Sequence, residues 1–114
     1  MNIESILRRA SSYSELSPRD YSGMNILVVG VGGAGSNIIS RLNIMGIDGV
    51  KTIVVHTDFA HLTHTNSDEK ILLKNTALKS GYGTGGNPEI GERCAILARS
   101  KLYDSIKDAD ILFL

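Results

Sequence analysis

The chain has 114 residues, of which 42% are hydrophobic and 21% are charged, and this composition is typical of one globular domain rather than of a disordered segment. Twelve basic residues balance twelve acidic ones, so no surplus of positive charge favours a nucleic acid or an anionic membrane surface as a partner. The apolar runs are far shorter than the roughly 20 residues that span a bilayer and the first residues lack a signal-peptide core, so we expect a cytoplasmic protein without direct membrane insertion.

Residues 1–23 are predicted to form an extension in front of the compact domain. Apolar residues at helical spacing between Ile3 and Ala10 predict a short amphipathic helix, and the polar stretch that follows is typical of a linker. We therefore expect an N-terminal helix and linker over residues 1–23, and the first, incomplete part of a nucleotide-binding domain over residues 24–114.

A strand, a tight turn and a helix are predicted at the start of this domain. The sequence NILVVG, residues 25–30, is short, apolar and rich in β-branched side chains, as expected for a strand covered on both faces. After the turn, Ile38, Leu42 and Met45 recur at helical spacing with Ile39 beside them. We expect these four side chains to form the buried stripe of the helix.

Two further strands are predicted in the middle of the sequence. Residues 50–56 form a second apolar run, which a right-handed crossover would set parallel to the first strand. Asp58 is in the position of an N-cap for a short helical turn. Residues 70–73 then predict a brief third strand.

The last part of the sequence predicts a long loop, a helix and a fourth buried strand, residues 111–114. Asn87 and Pro88 are typical of the N-cap and the first position of a helix. The apolar stripe of this helix is expected at Ile90, Cys94, Leu97 and Ala98. Chain termini are normally polar and exposed, so an end on an apolar strand leads us to expect the N-terminal fragment of a larger protein. The whole pattern predicts a Rossmann-like, layered α/β fold with a mostly parallel sheet.

The turn after the first strand, GVGGAGSN, has a glycine at Gly30, Gly32, Gly33 and Gly35. A turn from a parallel strand into its helix points the free N–H groups of that helix at whatever lies above the sheet edge, and the helix dipole adds about half a positive charge there. A Cβ at these positions would keep the backbone away from an anion and penalise a positive φ. The motif therefore predicts a phosphate site, although a tight turn without a ligand is the simpler alternative.

A second glycine-rich stretch, GYGTGGNPEIG, covers residues 81–91 and again ends in a helix start. In a parallel sheet the two turns would lie along one edge, so that both helix ends could face one polyphosphate.

The first motif also matches the dinucleotide fingerprint Gly30-x-Gly32-x-x-Gly35, with Asp58 placed after the second strand as a ribose-binding acid would be. This pattern leaves open an NAD(P)- or FAD-binding domain of an oxidoreductase. A truncated, non-catalytic interaction module is a third alternative.

Three motifs in order, GVGGAGSN, HTD and GTGGNPEIGE, resemble the N-terminal part of the FtsZ family of tubulin-like cell-division GTPases. The resemblance runs from Asn25 to Leu114, and the N-terminal extension is similar to those of archaeal members. It implies binding of GTP or GDP with Mg²⁺, self-association of the parent protein into head-to-tail filaments, and other cell-division proteins as partners.

The resemblance also implies which residues contact the nucleotide. Asp58 would lie near the terminal phosphate and its magnesium. The phosphate and guanosine contacts would be Gly32, Gly33, Ala34, Gly35, Ser36 and Asn37. The loop that senses the terminal phosphate would contain Gly83, Thr84 and Gly85. Three residues depart from the usual family pattern, namely His56, Phe59 and Tyr82.

No catalytic residue of the family is identified in this sequence. The family's signature loop GGGTGTG, its guanine-reading residues and the acidic loop that completes hydrolysis from a neighbouring subunit are not found. Because phosphoryl transfer needs such electrostatic and water-positioning groups, we expect the 114-residue chain to hydrolyse little or no GTP by itself.

The histidines and the single cysteine are the remaining candidates for chemistry. His61 and His64 are one helical turn apart, but no carboxylate or thiol is obviously placed with them and His56 to complete a metal site. We therefore expect no metal bound directly by protein side chains. Cys94 is expected to be a small core residue rather than a reactive thiol.

Overall fold

The computed structural model describes residues 2–5, 23–74 and 83–114. Residues 3–5 are helical and exposed. The rest of the predicted N-terminal helix and linker lies outside the described residues, as does the part of the second glycine stretch that contains Tyr82. The division of the chain at residue 24 therefore stays a prediction.

The described domain alternates strands and helices. The elements in chain order are β1 Ile26–Val31, α1 Gly32–Met45, β2 Val50–His56, α2 Phe59–Thr63, β3 Glu69–Leu72, α3 Pro88–Leu97, α4 Arg99–Ile106 and β4 Ile111–Phe113. The four predicted strands are confirmed, each within one residue at either end. The predicted N-caps are confirmed as well, since the side chains of Asp58 and Asn87 each accept a hydrogen bond from a backbone N–H in the first turn of their helices.

The strands form one parallel sheet in the order β3-β2-β1-β4. Ile26 of β1 pairs with Val50 of β2 on one side and with Ile111 of β4 on the other. The chain therefore adds β2 and β3 to one side of β1 and then reverses to add β4 on the opposite side. The sheet, with helices packed on both faces, confirms the predicted α/β fold.

Alternate residues of each strand face two separate cores, because successive side chains of a strand point to opposite faces of the sheet. The larger core packs against α3 and α4 and consists of Leu27, Val29, Ile53, Val55, Ile71, Leu73 and Cys94. The smaller core packs under α1 and α2 and consists of Ile39, Val54 and Leu62. Cys94 is fully buried, as predicted.

The predicted buried stripe of α1 is correct at Ile39 and Leu42, which belong to or pack on the smaller core, and wrong at its other two residues. Ile38 and Met45 are 60% and 78% exposed, whereas Ser36 and Ile39 are buried. One residue corresponds to about 100° around a helix, so the buried face is turned by about one residue from the expected stripe. The cause is Gly35, whose backbone lies against Gly30 of β1 and thereby directs the adjoining face of the helix to the sheet.

The predicted stripe of α3 is correct at Ile90, Cys94 and Ala98, which pack on the larger core, and wrong at Leu97, which is 70% exposed. Each of these core residues is four positions from the next, so they share one face of the helix. Leu97 lies outside that face. Ala98 also has φ −94° and ψ 8°, which separates α3 from α4.

Strand β4 is present, but the prediction that it is buried is wrong. Its three residues are between 37% and 58% exposed, because it lies at the edge of the sheet and no described element covers it. It is held by β1 and by Asp110, whose carboxylate accepts a hydrogen bond from the Asn25 backbone N–H at 2.7 Å. Across residues 2–5, 23–74 and 83–114, none of the helices combines the length and the hydropathy that a membrane span requires.

Candidate functional site

The strand order identifies one place where a ligand is expected. In open parallel sheets, ligands bind outside the carboxyl ends of the strands, at the point where the strand order reverses. Here that point lies at the carboxyl end of β1, between β2 and β4. The chain enters α1 directly from this end, through Val31 and Gly32.

The N-terminus of α1 is open to an anion. Its N-cap residue, Val31, has extended geometry and makes no side-chain cap, and the first turn of the helix contains no acidic residue. The next helix, α2, is capped by Asp58, and α3 is capped by Asn87 and has Glu89 in its first turn. Free N–H donors and the positive end of the dipole therefore combine at α1, a helix of 14 residues whose own cap and first turn contain no group to neutralise them.

The glycines of the first motif have different roles. Gly32 has φ +72°, which a β-carbon would strain, and the space where that carbon would lie is open. Gly30 and Gly35 are required by packing instead, because a Cβ on Gly30 would lie 2.5 Å from the Gly35 carbonyl oxygen and 2.6 Å from the Ile39 side chain. A Cβ on Gly33 would only reach ordinary contact with the His61 ring, at 3.5 Å.

The other three residues predicted to contact phosphate and guanosine differ from one another in their exposure. Ala34 and Asn37 are exposed. The Ser36 side chain is fully buried, and its hydroxyl donates a 2.6 Å hydrogen bond to the Gly32 carbonyl oxygen. Ser36 thus supports the turn from inside the fold. The contacts of all these residues with a nucleotide stay a prediction.

The second glycine stretch comes close to the end of β2. A Cβ on Gly83 would lie 3.5 Å from the Thr57 hydroxyl oxygen and 3.6 Å from the Asp58 β-carbon. Gly85 has φ +64°, and the carbonyl oxygen of Thr84 accepts a hydrogen bond from the Asn87 backbone N–H. Both glycine turns therefore adjoin the segment between His56 and His61, at the same edge of the sheet, as the sequence predicted.

Asp58 lies between the two glycine turns and is half-buried. Its Oδ1 atom accepts a 3.0 Å hydrogen bond from the His61 backbone N–H, and its carbonyl oxygen accepts one from Leu62. One carboxylate oxygen is thus committed to capping α2. Among the described residues, none donates a hydrogen bond to the other oxygen, Oδ2.

Two histidines link β2 to the first glycine turn. The His56 Nε2 and His61 Nδ1 atoms are 3.1 Å apart, and His61 Nε2 lies 3.2 Å from Asn37 Oδ1. Burial lowers the pKa of His56, the nearby His61 lowers it further, and the Asp58 carboxylate opposes the change. His56 is therefore favoured in its neutral form.

No metal site is formed by these side chains. Within the described part of the chain, no three histidine, cysteine, aspartate or glutamate side chains are grouped closely enough to hold a metal ion. His64, which the sequence paired with His61, is exposed at the end of α2. The His56–His61 contact could have been anticipated from residue spacing, because His56 ends a strand and His61 lies in the first turn of the helix that follows it.

A cavity of about 560 Å³ lies at the opposite end of the sheet, near the amino ends of β1 and β2. Both basic and acidic side chains line it, including Lys51, Glu69, Lys101 and Asp104. Its lining residues include no glycine, so a phosphate group is better matched by the glycine turn at the α1 end.

A model of the tubulin/FtsZ family, GTPase domain, matches residues 25–114. The chain belongs to this family. Cell division protein FtsZ 1 of Methanocaldococcus jannaschii is 42% identical over 108 residues, which cover 88% of this chain and 29% of that protein. Cell division protein FtsZ 2 of Haloferax volcanii is 39% identical over 106 residues, which cover 93% of this chain and 26% of that protein.

The solved structure of an empty FtsZ dimer from M. jannaschii is similar to this chain with a TM-score of 0.72 and 41% identity. The similarity covers 85% of this chain and 30% of that one. This FtsZ-like chain therefore spans between a quarter and a third of the length of these three relatives. Membership of the family decides between the two interpretations of the first glycine motif, and favours the GTPase over the oxidoreductase.

Proposed function

We propose that the chain carries the phosphate-binding part of the guanine-nucleotide site of an FtsZ-like, filament-forming cell-division protein. The observation that carries the proposal is the open N-terminus of α1, which lies where the strand order reverses and lacks both a side-chain cap and an acidic first turn. The two helices that follow it in the sequence, α2 and α3, are both capped, so α1 has the one anion-attracting end among these three helices.

The proposed contacts are made mainly by backbone. N–H groups of the first turn of α1, from Gly32 to Ala34, donate to phosphate oxygens, and Ser36 holds the turn in shape through its bond to Gly32. Asn37, which is exposed on the next turn, contacts the nucleoside. The loop at 83–85 approaches the terminal phosphate from the side of Asp58.

Magnesium is proposed to arrive with the nucleotide. Mg²⁺ usually keeps several waters and is held through substrate phosphates with one or two carboxylates, so it needs no cluster of protein ligands. Asp58 fits such an ion, because one of its carboxylate oxygens caps α2 while the described residues leave the other without a donor. When bound, the ion neutralises phosphate charge. The carboxylate of Asp58, held in place by its cap of α2, would then supply a negative charge near that ion.

Filament formation, hydrolysis, other cell-division proteins as partners and a cytoplasmic location are proposed for the whole protein. The M. jannaschii FtsZ relative was solved as a dimer. The head-to-tail stacking that we propose for the whole protein would bring a second subunit to the nucleotide. The 114-residue chain alone is proposed to bind the phosphates without measurable turnover.

Competition binding to the purified chain tests this function. A fluorescent GDP derivative is titrated with chain and then displaced with GDP, GTP, guanosine or NAD, each with Mg²⁺. We expect GDP and GTP to displace the probe at much lower concentrations than guanosine, because the phosphates supply the main contacts, and NAD to be a poor competitor. Displacement by guanosine as effective as that by GDP would contradict the phosphate assignment. Displacement by NAD at the lowest concentration would contradict the guanine assignment.

A further inference from the structure

The pair of histidines between β2 and α1 has no role in the function proposed above. His56 ends β2, His61 lies in α2, and Asn37 lies in the second turn of α1. Hydrogen bonds connect the three side chains in a row, at 3.1 Å between the histidine rings and 3.2 Å from His61 to Asn37. The row starts inside the fold and ends at an exposed residue next to the open end of α1.

The direction of these hydrogen bonds follows from the backbone. The Thr57 and Asp58 N–H groups point to His56 Nδ1, at 2.9 and 3.3 Å. A backbone N–H can only donate, so Nδ1 must be an acceptor and the proton of neutral His56 must be on Nε2. His56 Nε2–H then donates to His61 Nδ1, which places the proton of His61 on Nε2. His61 Nε2–H in turn donates to Asn37 Oδ1.

We propose that His56 and His61 are positioning residues that fix the Asn37 amide with its oxygen toward His61 and its NH2 group free to donate to the nucleotide. The proposal rests on the nucleotide site proposed above. An Asn side chain can present either an acceptor or a donor to a ligand, and only the second is left once Oδ1 is occupied. The ligand atoms that this arrangement selects are hydrogen-bond acceptors of the nucleoside, such as a ring nitrogen, a carbonyl oxygen or a ribose oxygen.

The same geometry argues against a metal at the histidine pair. Each of the four ring nitrogens already has a partner: both Nδ1 atoms accept, and both Nε2 atoms donate. A metal ion would have to displace the bond between the rings, whose planes are at 66° with centroids 5.0 Å apart. A purely structural role, joining β2 to α1, is the alternative that the experiment must separate.

Four variants of the 114-residue chain make that separation. His61→Gln keeps an N–H donor near the position of Nε2, whereas His61→Asn reaches only to the position of Nδ1 and His61→Ala removes both. His64→Ala is the matched control, because His64 is an exposed histidine of the same helix end. Thermal unfolding of each variant establishes that it is folded, and fluorescent GDP with Mg²⁺ is the binding probe.

We expect His61→Ala and His61→Asn to bind GDP roughly 3- to 10-fold more weakly, the effect of about one hydrogen bond, while His61→Gln and His64→Ala stay within about twofold of the unaltered chain. In the ligand-free chain, nitrogen NMR of the imidazole rings should show both His56 and His61 protonated on Nε2. Binding by His61→Gln as weak as that by His61→Ala, or unchanged binding by His61→Ala, would overturn the proposal. So would an Nδ1–H tautomer at either ring.

The outcomes also distinguish a failure of the positioning role from a failure of the proposed nucleotide site. If the unaltered chain does not bind GDP at all, the proposed nucleotide site fails and the role of Asn37 fails with it. If the chain binds GDP but the tautomers or the His61→Gln result differ from those expected, the nucleotide site stands and only the positioning role is lost.

Discussion

Replacing Ala34 by aspartate would separate the anion-binding role of α1 from its structural role. Ala34 is exposed in the first turn of the helix, which contains no acidic residue. A carboxylate in a first turn normally stabilises a helix, by about 0.3–1 kcal/mol. Ala34→Asp should therefore leave the free energy of unfolding unchanged or slightly higher, while it places a negative charge where the phosphates are expected.

The loss of affinity follows from the charge. Two unit charges about 5 Å apart interact by about 3 kcal/mol at the effective dielectric constant of about 20 that suits sites near a protein surface, and salt and exposure reduce this value. We expect GDP binding to weaken by about 1–3 kcal/mol, which is roughly 5- to 150-fold. The loss should become smaller as the salt concentration rises.

Titration of a fluorescent GDP derivative measures the affinity, and chemical denaturation measures the stability of the same samples. Ser100→Asp is the matched control, because Ser100 is an exposed residue in the first turn of α4, which also lacks a side-chain cap. It should leave GDP affinity within about twofold. The reasoning would be refuted if Ala34→Asp bound GDP as tightly as the unaltered chain, or if the control lost as much affinity.

Three further results are expected. Gly30→Ala should destabilise the fold by about 1–3 kcal/mol and lower the Tm, because the new Cβ meets the Gly35 carbonyl at 2.5 Å, whereas Gly23→Ala, with open space around it, should be nearly neutral. Hydrogen bonds from Lys51 and Ser105 lower the pKa of Glu69 below its ordinary value of 4.5. The stabilisation that these bonds give the fold is therefore present above that pH and should be lost as the pH falls through the lower pKa of the folded state. In acid unfolding, Ser105→Ala should lose less stability over this pH range than the unaltered chain. Phosphate release from GTP by the 114-residue chain should not exceed that of buffer, and measurable turnover would contradict the account.

Strand and helix positions could be predicted from the sequence because they depend on local patterns. The β-branched run before Gly30 and the Asn87–Pro88 helix start are signals contained in a few neighbouring residues, and both correspond to the observed elements. The strand order is different. Nothing local indicates that β4 joins β1 rather than β3, yet this reversal is what defines the ligand-binding edge.

The two errors in burial have tertiary causes. Ile38 recurs at the right spacing for a core residue, but the close approach of Gly35 to Gly30 turns α1 so that Ile38 is exposed, while its predicted neighbour Ile39 is buried. Strand β4 is as apolar as a buried strand, but burial depends on neighbouring elements that its own sequence does not encode.

The candidate site was predictable in its backbone and less so in its side chains. Glycine spacing identified the turn at Gly32, although two of its four glycines turn out to serve packing. The hydrogen-bonded row from His56 through His61 to Asn37 joins three separate elements, and only the fold brings the third member to the other two. His56 was noted as a departure from the family pattern and considered with the other histidines as a metal ligand, but not as a partner of Asn37.

Backbone amide NMR of the chain with added GDP and Mg²⁺ tests the central claim most directly, because it reports which N–H groups meet the phosphates. The account predicts that the largest shifts occur in the first turn of α1, residues 32–34, with smaller ones at residues 57–58 and 83–85. Shifts concentrated instead around Glu69 and Lys101, at the cavity on the opposite end of the sheet, would contradict it.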